Sequence, residues 1–352
     1  MNLTRRHALT SAIALPMFNS LAARAQEGPK VIIATYPGHG TQAWRSIVTE
    51  RFTHETGVKA DVFEVPLPAA TVAQSAGNPQ FNLAIVAAYS VPGLIAKNLI
   101  ELLTPEDIPG IRNVPEKLWP RTPDGRLMGM PVYFGLFGIA YNTDLAKPSD
   151  FASWKSLLDP KWKGQLSITR SNFLAAYDVQ LYARLSGGNE QNLEPGHAWL
   201  RKLVPQALNV YSSMASLEAQ LSRGEIVAAP FYANEIAMAR RGGNTAVAMR
   251  VPDEGGLILP YLLVLPKGAR NPDAAKRLMN AVIEPQYQAG LAQASLVWPM
   301  NQHTVLSDSL RKEMGNSVEE VMARNISLDW WTIGSNLEAE TRRIDQLMDE
   351  LR

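Results

Sequence analysis

Residues 131–142, with the sequence PVYFGLFGIAYN, lie near the middle of the chain and carry no charge. Four of them are aromatic and two are glycines. A short apolar segment that is rich in aromatic residues is typical of a buried strand. Glycines inside a strand mark a bend, or a place where backbone or ligand approaches closely. We therefore interpret the segment as a strand that passes from one lobe to another across the floor of a cleft.

Strand and helix patterns alternate on both sides of this segment, which predicts an α/β fold. Strands over 30–36 and 58–65 enclose a helix over 42–56, and this order is typical of a right-handed βαβ unit on a parallel sheet. Further strands are predicted over 81–87, 165–168, 226–230, 247–251 and 257–265. Further helices are predicted over 91–103, 154–158, 171–185, 195–203, 214–222, 233–241, 272–284 and at the C-terminus, with Asn271 as the cap of the helix over 272–284.

Two lobes are expected, because 352 residues with 46% hydrophobic content exceed what one core usually contains. We assign residues 29–132 and 256–303 to the first lobe, and residues 138–250 and 306–352 to the second. Hinge crossings are predicted near 131–140 and 251–263. The proline-rich residues 104–126 predict an irregular surface segment, and Trp298 with Pro299 predicts a turn.

Charge and cysteine content exclude several classes of function. The net charge is +1 without a strongly basic or acidic block, so nothing indicates nucleic acid or a membrane surface as a partner. The chain has no cysteine, which excludes disulfides, thiolate metal sites and thiol nucleophiles. We expect a monomer.

The N-terminus has the three-part pattern of an export signal. Arg5 and Arg6 precede an apolar stretch over 8–21, and residues 23–25 form an A-x-A cleavage pattern. We therefore interpret residues 1–25 as a signal peptide, which also fits a twin-arginine signal loosely, and expect a soluble periplasmic protein. The alternative is an ordinary N-terminus of a cytosolic protein.

The sequence contains no recognisable catalytic, cofactor or metal motif. The five histidines are not paired at ligand spacing, and no HExxH, GxxxxGK[ST] or GxSxG pattern occurs. We therefore expect neither a cofactor nor an enzyme.

Loops that follow predicted strands supply the candidate ligand-binding residues, because ligands of open α/β sheets lie outside the carboxyl ends of the strands. The first such loop contains Gly38, Gly40 and Thr41 and leads into a helix N-terminus, which suits an anionic or hydrogen-bond-accepting group. The second contains Tyr89 and Ser90, where a tyrosine can stack on a ligand. The alternatives are an ordinary tight turn and a half-buried core tyrosine.

A third loop, at the start of the second lobe, contains Arg170 and Ser171. An arginine at a helix N-terminus opposes the helix dipole, so an anion nearby would offset that cost. Its guanidinium can recognise a carboxylate or phosphonate with two parallel hydrogen bonds, although a solvated surface arginine is an equal alternative. A fourth loop contains Tyr232 and Asn234. Two further candidates are Tyr133, in the central segment, and Glu254, at the return crossing.

Several passages, taken in order, resemble one protein family. They are F-x-x-ETGV at 52–58, FNL at 81–83, GIAYN at 138–142, SW at 153–154, LDPKWKG at 158–164, GEI at 224–226, P-x-EG at 252–255 and NPDAA at 271–275. In these passages the chain resembles the periplasmic solute-binding proteins of ABC importers (extracellular solute-binding protein family 1), in the group that includes spermidine/putrescine-binding and ferric-ion-binding proteins. The resemblance implies a two-lobed fold of type II that closes around one small-molecule solute and docks on an ABC permease in the inner membrane.

The chain departs from this group at residues that contact the solute. Polyamine binders carry acidic residues where this chain has Thr169, Arg170 and Ser171, and ferric binders carry adjacent tyrosines where it has Phe231 and Tyr232. We therefore expect a small anionic or zwitterionic organic solute. The alternatives are a polyamine binder, and a periplasmic enzyme or a binding protein that presents its ligand to a receptor, on the same fold.

Overall fold

The computed structural model of the protein describes residues 30–314 and 317–351. The predicted signal peptide, residues 1–25, lies outside this range. Within the described ranges, no helix combines the length and the apolar character that a membrane crossing requires.

The strands of the described chain are Lys30–Thr35 (β1), Lys59–Glu64 (β2), Leu83–Ala87 (β3), Met130–Asn142 (β4), Leu166–Ile168 (β5), Ala207–Val210 (β6), Ala228–Tyr232 (β7), Val247–Arg250 (β8), Leu257–Val264 (β9) and Trp298–Pro299 (β10). They form one sheet in the order β2-β1-β3-β9-β4-β7-β5-β6, and β8 and β10 also pair with β4. The pairs β1–β2 and β1–β3 are parallel, as the predicted βαβ unit requires.

The α-helices are His39–Ala43 (α1), Glu50–Thr56 (α2), Pro68–Gln74 (α3), Val91–Ala96 (α4), Ser171–Phe173 (α5), Val179–Leu185 (α6), Glu194–Leu203 (α7), Met214–Ser222 (α8), Ala233–Arg241 (α9), Pro272–Val282 (α10), Pro285–Ser295 (α11), Asp308–Met314 (α12), Val318–Arg324 (α13) and Trp330–Glu350 (α14). Two wider π-helical segments, Trp44–Thr49 and Leu174–Asp178, connect α1 to α2 and α5 to α6.

The central segment is a buried strand, as predicted. β4 has 13 residues and all but Tyr133 are buried. Its first part pairs with β9, from Met130 to Phe137, and its last part pairs with β7 and β8. β4 therefore carries the sheet from one half of the protein to the other.

Two large hydrophobic clusters occupy these two halves. Val132 and Phe134 of β4 belong to the first cluster, with residues of β1, α2, α10 and α11. Ile139 and Tyr141 belong to the second, with residues of β5, α6, α7 and α14. The C-terminal tail contacts both clusters, because α12 and α13 pack on the first and α14 packs on the second.

Local sequence signals predicted several elements correctly. The helices over 214–222 and 233–241 have the predicted bounds. The helix predicted over 42–56 is formed by α1, the π-helical segment and α2, and it ends at Gly57, whose φ of 71° is left-handed. The sequence pattern did not predict α3, β6, α12 or α13.

Two local predictions were wrong, and a third was confirmed in position only. The helix over 91–103 ends at Ala96, because Asn98 adopts a left-handed φ of 56°. Trp298 and Pro299 form β10 rather than a turn, since Trp298 stacks on Phe134 with ring centroids 6.0 Å apart. Asn271 occupies the N-cap position of α10, but its left-handed backbone leaves its side chain without a capping hydrogen bond.

Candidate functional site

A cavity of about 380 Å³ lies where several strands end, and we call it the central cavity. Tyr36 follows β1, Tyr89 follows β3, Arg170 follows β5, Tyr211 follows β6, and Tyr232 ends β7; all five line the cavity. Loop residues at the carboxyl ends of the strands thus meet at one place, as expected for an α/β sheet.

The floor of the central cavity comes from the paired strands β4 and β9. Tyr133 and Tyr261 are direct partners in the register of these strands, and their ring centroids lie 5.0 Å apart. Gly135 also lines the cavity, and a methyl group there would contact only Asn234, at 3.7 Å. The absence of a side chain at this position keeps the floor open.

Seven of the ten tyrosines of the chain line the central cavity, together with a tryptophan and a phenylalanine. The seven are Tyr36, Tyr89, Tyr133, Tyr177, Tyr211, Tyr232 and Tyr261. Burial raises the pKa of each of these hydroxyls above its ordinary value. The hydroxyls are therefore protonated at neutral pH and can donate or accept hydrogen bonds.

Four of the cavity rings form a continuous row, which we call the first aromatic arc. Trp44 lies 6.5 Å from Tyr133, Tyr133 lies 5.0 Å from Tyr261, and Tyr261 lies 6.1 Å from Tyr36, measured between ring centroids. The planes of successive rings differ by 54°, 30° and 87°. The rings therefore form adjoining walls rather than a single stack.

A second aromatic arc is centred on Tyr177. Its ring centroid lies 5.3 Å from Tyr89, 6.0 Å from Phe173 and 6.3 Å from Tyr232. Tyr177 lies in one π-helical segment and Trp44 begins the other, so each of these segments brings a ring to the cavity. Wider helical turns of this kind are frequent at functional sites.

Two charged side chains, Arg170 and Glu235, occur among the described residues of the cavity wall. The guanidinium carbon of Arg170 lies 5.3 Å from the Phe173 ring centroid, and no described carboxylate forms an ion pair with this arginine. A carboxylate oxygen of Glu235 accepts a hydrogen bond from Asn234 Nδ2 at 2.9 Å.

The two charges act on different tyrosines. Arg170 opposes the effect of burial on Tyr89 and Tyr211, where its positive charge lowers the pKa. Glu235 adds to the effect of burial on Tyr133 and Tyr261, where its negative charge raises the pKa further. Arg170 therefore acts on tyrosines at one side of the cavity, including Tyr89 of the second aromatic arc, and Glu235 acts on two tyrosines of the first.

The structure brings six of the eleven sequence-predicted site residues to the cavity wall: Gly40, Tyr89, Tyr133, Arg170, Tyr232 and Asn234. Gly38, Thr41, Ser90 and Ser171 are sequence neighbours of lining residues but do not line the cavity themselves. The hydroxyl of Thr41 donates to the Tyr36 carbonyl oxygen at 2.9 Å, and Ser90 hydrogen-bonds with Tyr89. The ligand-binding role of all ten of these predicted site residues remains a prediction.

Glu254, the eleventh residue, is not part of the cavity wall. It lies in an exposed turn, where its carboxylate accepts a hydrogen bond from the hydroxyl of Ser153. The neighbouring Gly255 carbonyl oxygen accepts a hydrogen bond from Trp154 Nε1 at 2.8 Å. These contacts give the turn a structural role.

Sequence reasoning missed several lining residues. Tyr36 and Trp44 flank the predicted glycine-containing loop, so their positions were an available signal. Tyr211 follows β6, a short and half-exposed strand without a clear hydrophobic pattern. Tyr177 and Tyr261 lie inside buried elements, where their sequence positions do not indicate the direction of the side chain.

A buried carboxyl group lies on the same helix as Tyr177. Asp178 Oδ1 accepts a hydrogen bond from the Tyr182 hydroxyl at 3.2 Å, whereas Oδ2 has no partner among the described residues. Burial raises the pKa of Asp178 to about 7. Because this pKa exceeds the unfolded value, the folded state binds more protons between about pH 4 and pH 7, and stability falls as the pH rises through that range.

We expect the pH dependence of stability to be weaker in Asp178→Asn than in the wild-type protein. Relative to this variant, the wild-type protein should lose roughly 2 kcal/mol of unfolding free energy between about pH 5 and pH 8. Urea denaturation of both proteins at the two pH values measures the change. Any constant effect of the amide cancels in this comparison, so a difference that does not vary with pH would contradict the raised pKa.

Comparison with known proteins gives a consistent assignment. The sequence profile of the bacterial extracellular solute-binding proteins matches residues 48–315. A periplasmic protein of Salmonella typhimurium, provisionally named for 2-aminoethylphosphonate binding, is 24% identical over 311 residues, which is 86% of this chain and 87% of that protein. The spermidine/putrescine-binding periplasmic protein of Escherichia coli is 24% identical over 69% of this chain and 71% of its own.

The fold is also that of a solved structure. An ABC transporter substrate-binding protein from Bradyrhizobium japonicum superposes with a TM-score of 0.75 at 18% identity, over 91% of this chain and 99% of that one. The predicted two-lobed α/β fold of periplasmic solute-binding proteins is thereby confirmed. The profile match covers more than half of the chain, so the protein belongs to the family of bacterial extracellular solute-binding proteins.

Proposed function

We propose that the protein is the periplasmic solute-binding component of an ABC importer, and that it captures a small anionic or zwitterionic organic solute in the central cavity. The observation that carries this proposal is Arg170, a guanidinium on the cavity wall that no described carboxylate neutralises. A carboxylate or phosphonate bound there would make hydrogen bonds in which both partners are charged, which a neutral solute cannot make. The name of the Salmonella typhimurium relative, which refers to an aminophosphonate, supports this class of solute.

The charges on the cavity wall disfavour a polyamine. A diamine brings two cations into the cavity, whereas Glu235 is the one carboxylate among the described lining residues and already accepts a hydrogen bond from Asn234. The second ammonium would lie near Arg170 or remain without a counter-charge, and both arrangements are costly away from water. A ferric ion is disfavoured as well, since this chain has Phe231 and Tyr232 where ferric binders carry adjacent tyrosines, so one phenolate ligand is missing.

The strands that cross between the two halves suggest how solute binding changes the conformation of the protein. We infer that residues 131–140 and 251–263 act as hinges between a first lobe, 29–132 with 256–303, and a second lobe, 138–250 with 306–352. Arg241 on α9 donates from Nη1 to the Gln293 carbonyl oxygen on α11 at 2.8 Å, a contact between the two halves. A solute that contacts both halves would stabilise a closed arrangement of the lobes, and a monomer in that form would dock on the permease.

The proposal is tested by ligand-induced stabilisation of the purified protein. The panel contains ethylphosphonate, 2-aminoethylphosphonate, butyrate, 4-aminobutyrate, putrescine and ferric citrate. A ligand present at about 100 times its dissociation constant should add about 2.7 kcal/mol of stability, which a thermal melt detects readily. We expect the acids to stabilise the protein and putrescine to have no effect. Stabilisation by putrescine without any effect of the acids would overturn the proposal.

A further inference from the structure

The first aromatic arc comprises Tyr36, Trp44, Tyr133 and Tyr261. The proposed function assigns no group of the solute to these four rings. All four rings line the central cavity and follow one another at centroid distances of 5.0 to 6.5 Å. Because their planes are turned relative to one another, they give the cavity aromatic walls of different orientation. Arrangements of this kind attract cations, since the face of an aromatic ring carries negative charge density.

Arg170, the one cation among the described residues that line the central cavity, lies at the second arc. The guanidinium of Arg170 lies over the Phe173 ring, which stacks on Tyr177. Three further contacts of arginine or lysine with ring faces involve Tyr287, Trp119 and Trp162, which lie outside the first arc. A ligand cation is therefore repelled by Arg170 at the second arc, whereas no described lysine or arginine lines the cavity at the first arc.

The local charge favours the same assignment. Glu235 lies close enough to Tyr133 and Tyr261 to raise the pKa of both hydroxyls, so its negative charge acts on this end of the cavity. Apolar residues contribute to the lining, namely Pro37, Pro66, Leu67, Leu291 and Val297, beside polar ones such as Thr35 and Ser295. Such surroundings penalise a strongly hydrated primary ammonium more than an N-methylated one, which brings methyl groups to the rings and apolar walls.

We propose that the first aromatic arc is a cation subsite that favours an N-methylated ammonium group. This inference rests on the proposed function, because the acidic group of the same solute would bind Arg170. The solute class is then a short zwitterion with an N-methylated ammonium at one end and a carboxylate or phosphonate at the other. The ammonium would lie against the first arc, beside Glu235, and the acid would lie at the second arc.

Calorimetry with four matched phosphonates tests the subsite. They are 2-aminoethylphosphonate, its N,N,N-trimethyl derivative, 3,3-dimethylbutylphosphonate, in which carbon replaces the charged nitrogen, and ethylphosphonate. The trimethyl compound should bind at least about 10-fold more tightly than its uncharged isostere, and more tightly than the primary amine. Equal affinity of the trimethyl compound and the isostere, or tighter binding of the primary amine, would overturn the proposal.

Variants of one ring test the arc directly. Tyr133→Leu should remove the preference for the trimethyl compound over 3,3-dimethylbutylphosphonate, whereas Tyr133→Phe should keep this preference because it keeps the ring. A preference for the trimethyl compound that persists in Tyr133→Leu would contradict a role for this ring.

A ligand pair without an acid distinguishes failure of this subsite from failure of the proposed function. Choline and 3,3-dimethylbutan-1-ol have the same shape and differ in the charge at the quaternary centre. Stabilisation by choline and not by the alcohol supports the cation subsite, even if no phosphonate binds. No stabilisation by choline, together with binding of ethylphosphonate, would overturn the subsite and leave the proposed function standing.

Discussion

Arg170→Ala is expected to weaken the binding of an anionic solute by at least about 100-fold. A guanidinium that binds a carboxylate or phosphonate makes two charge-assisted hydrogen bonds, each worth roughly 1.5–3 kcal/mol, and alanine removes both. Arg170→Lys should cause a smaller loss, because lysine keeps the charge but not the planar fork. Isothermal titration calorimetry with the tightest-binding acid of the panel measures all three proteins.

The stability of the Arg170→Ala variant should hardly change, which separates a binding role from a structural one. Arg170 is exposed and forms no ion pair with a described residue; its one ring contact, with Phe173, is worth about 1 kcal/mol or less. Arg201, exposed on α7 in the same half of the protein, provides a matched control. Arg201→Ala should bind as the wild-type protein does, and an unchanged affinity of Arg170→Ala would mean that this arginine is only surface charge.

The elements that the sequence predicted correctly have local causes. The helix over 233–241 follows a strand and ends before two glycines, and the helix over 214–222 has Ser213 as its cap. The aromatic composition and the lack of charge in β4 indicated a buried strand without any knowledge of its partners. Short elements such as β6, or β10 with its proline, depend on contacts with distant strands and therefore leave little local pattern.

The distinction between local signals and distant contacts also applies to the residues of the site. Arg170, Tyr89 and Tyr232 follow strand ends, and the rule that ligands lie beyond the carboxyl ends of strands was enough to select them. Tyr261 faces Tyr133 because β9 pairs with β4 in one particular antiparallel register. A register shifted by one residue would direct the Tyr261 side chain to the other face of the sheet, so its place in the cavity is a property of tertiary structure.

The position of α14 links the C-terminal tail to the central cavity. This helix packs on the turn that carries Tyr89 and on the start of α4, and its residue Gly334 lies at that contact. A methyl group added at Gly334 would lie 2.4 Å from the Tyr89 carbonyl oxygen and 2.6 Å from Pro92 Cγ. Both distances are far below van der Waals contact, and one neighbour is backbone, so a larger residue must displace the helix or the turn.

Gly334→Ala is therefore expected to reduce both stability and ligand affinity. Overpacking at a buried contact of this kind costs about 3 kcal/mol, and a shift of the turn should weaken solute binding several-fold because the Tyr89 ring lines the cavity. Gly93→Ala is the matched control, since Gly93 lies within α4 and no atom is within 4 Å of the added methyl group. That control should be neutral or slightly stabilising, because alanine favours a helix by about 1 kcal/mol over glycine.

Urea denaturation and calorimetry on the same preparations distinguish the two effects of Gly334→Ala. A stability equal to that of the wild-type protein would show that the helix and the turn can separate without cost. Lower stability with unchanged affinity would show that Tyr89 keeps its position when α14 moves, so the helix would support the fold and not the site. Loss of both, with normal behaviour of Gly93→Ala, is the result that follows if the C-terminal helix holds the second aromatic arc in place around the solute.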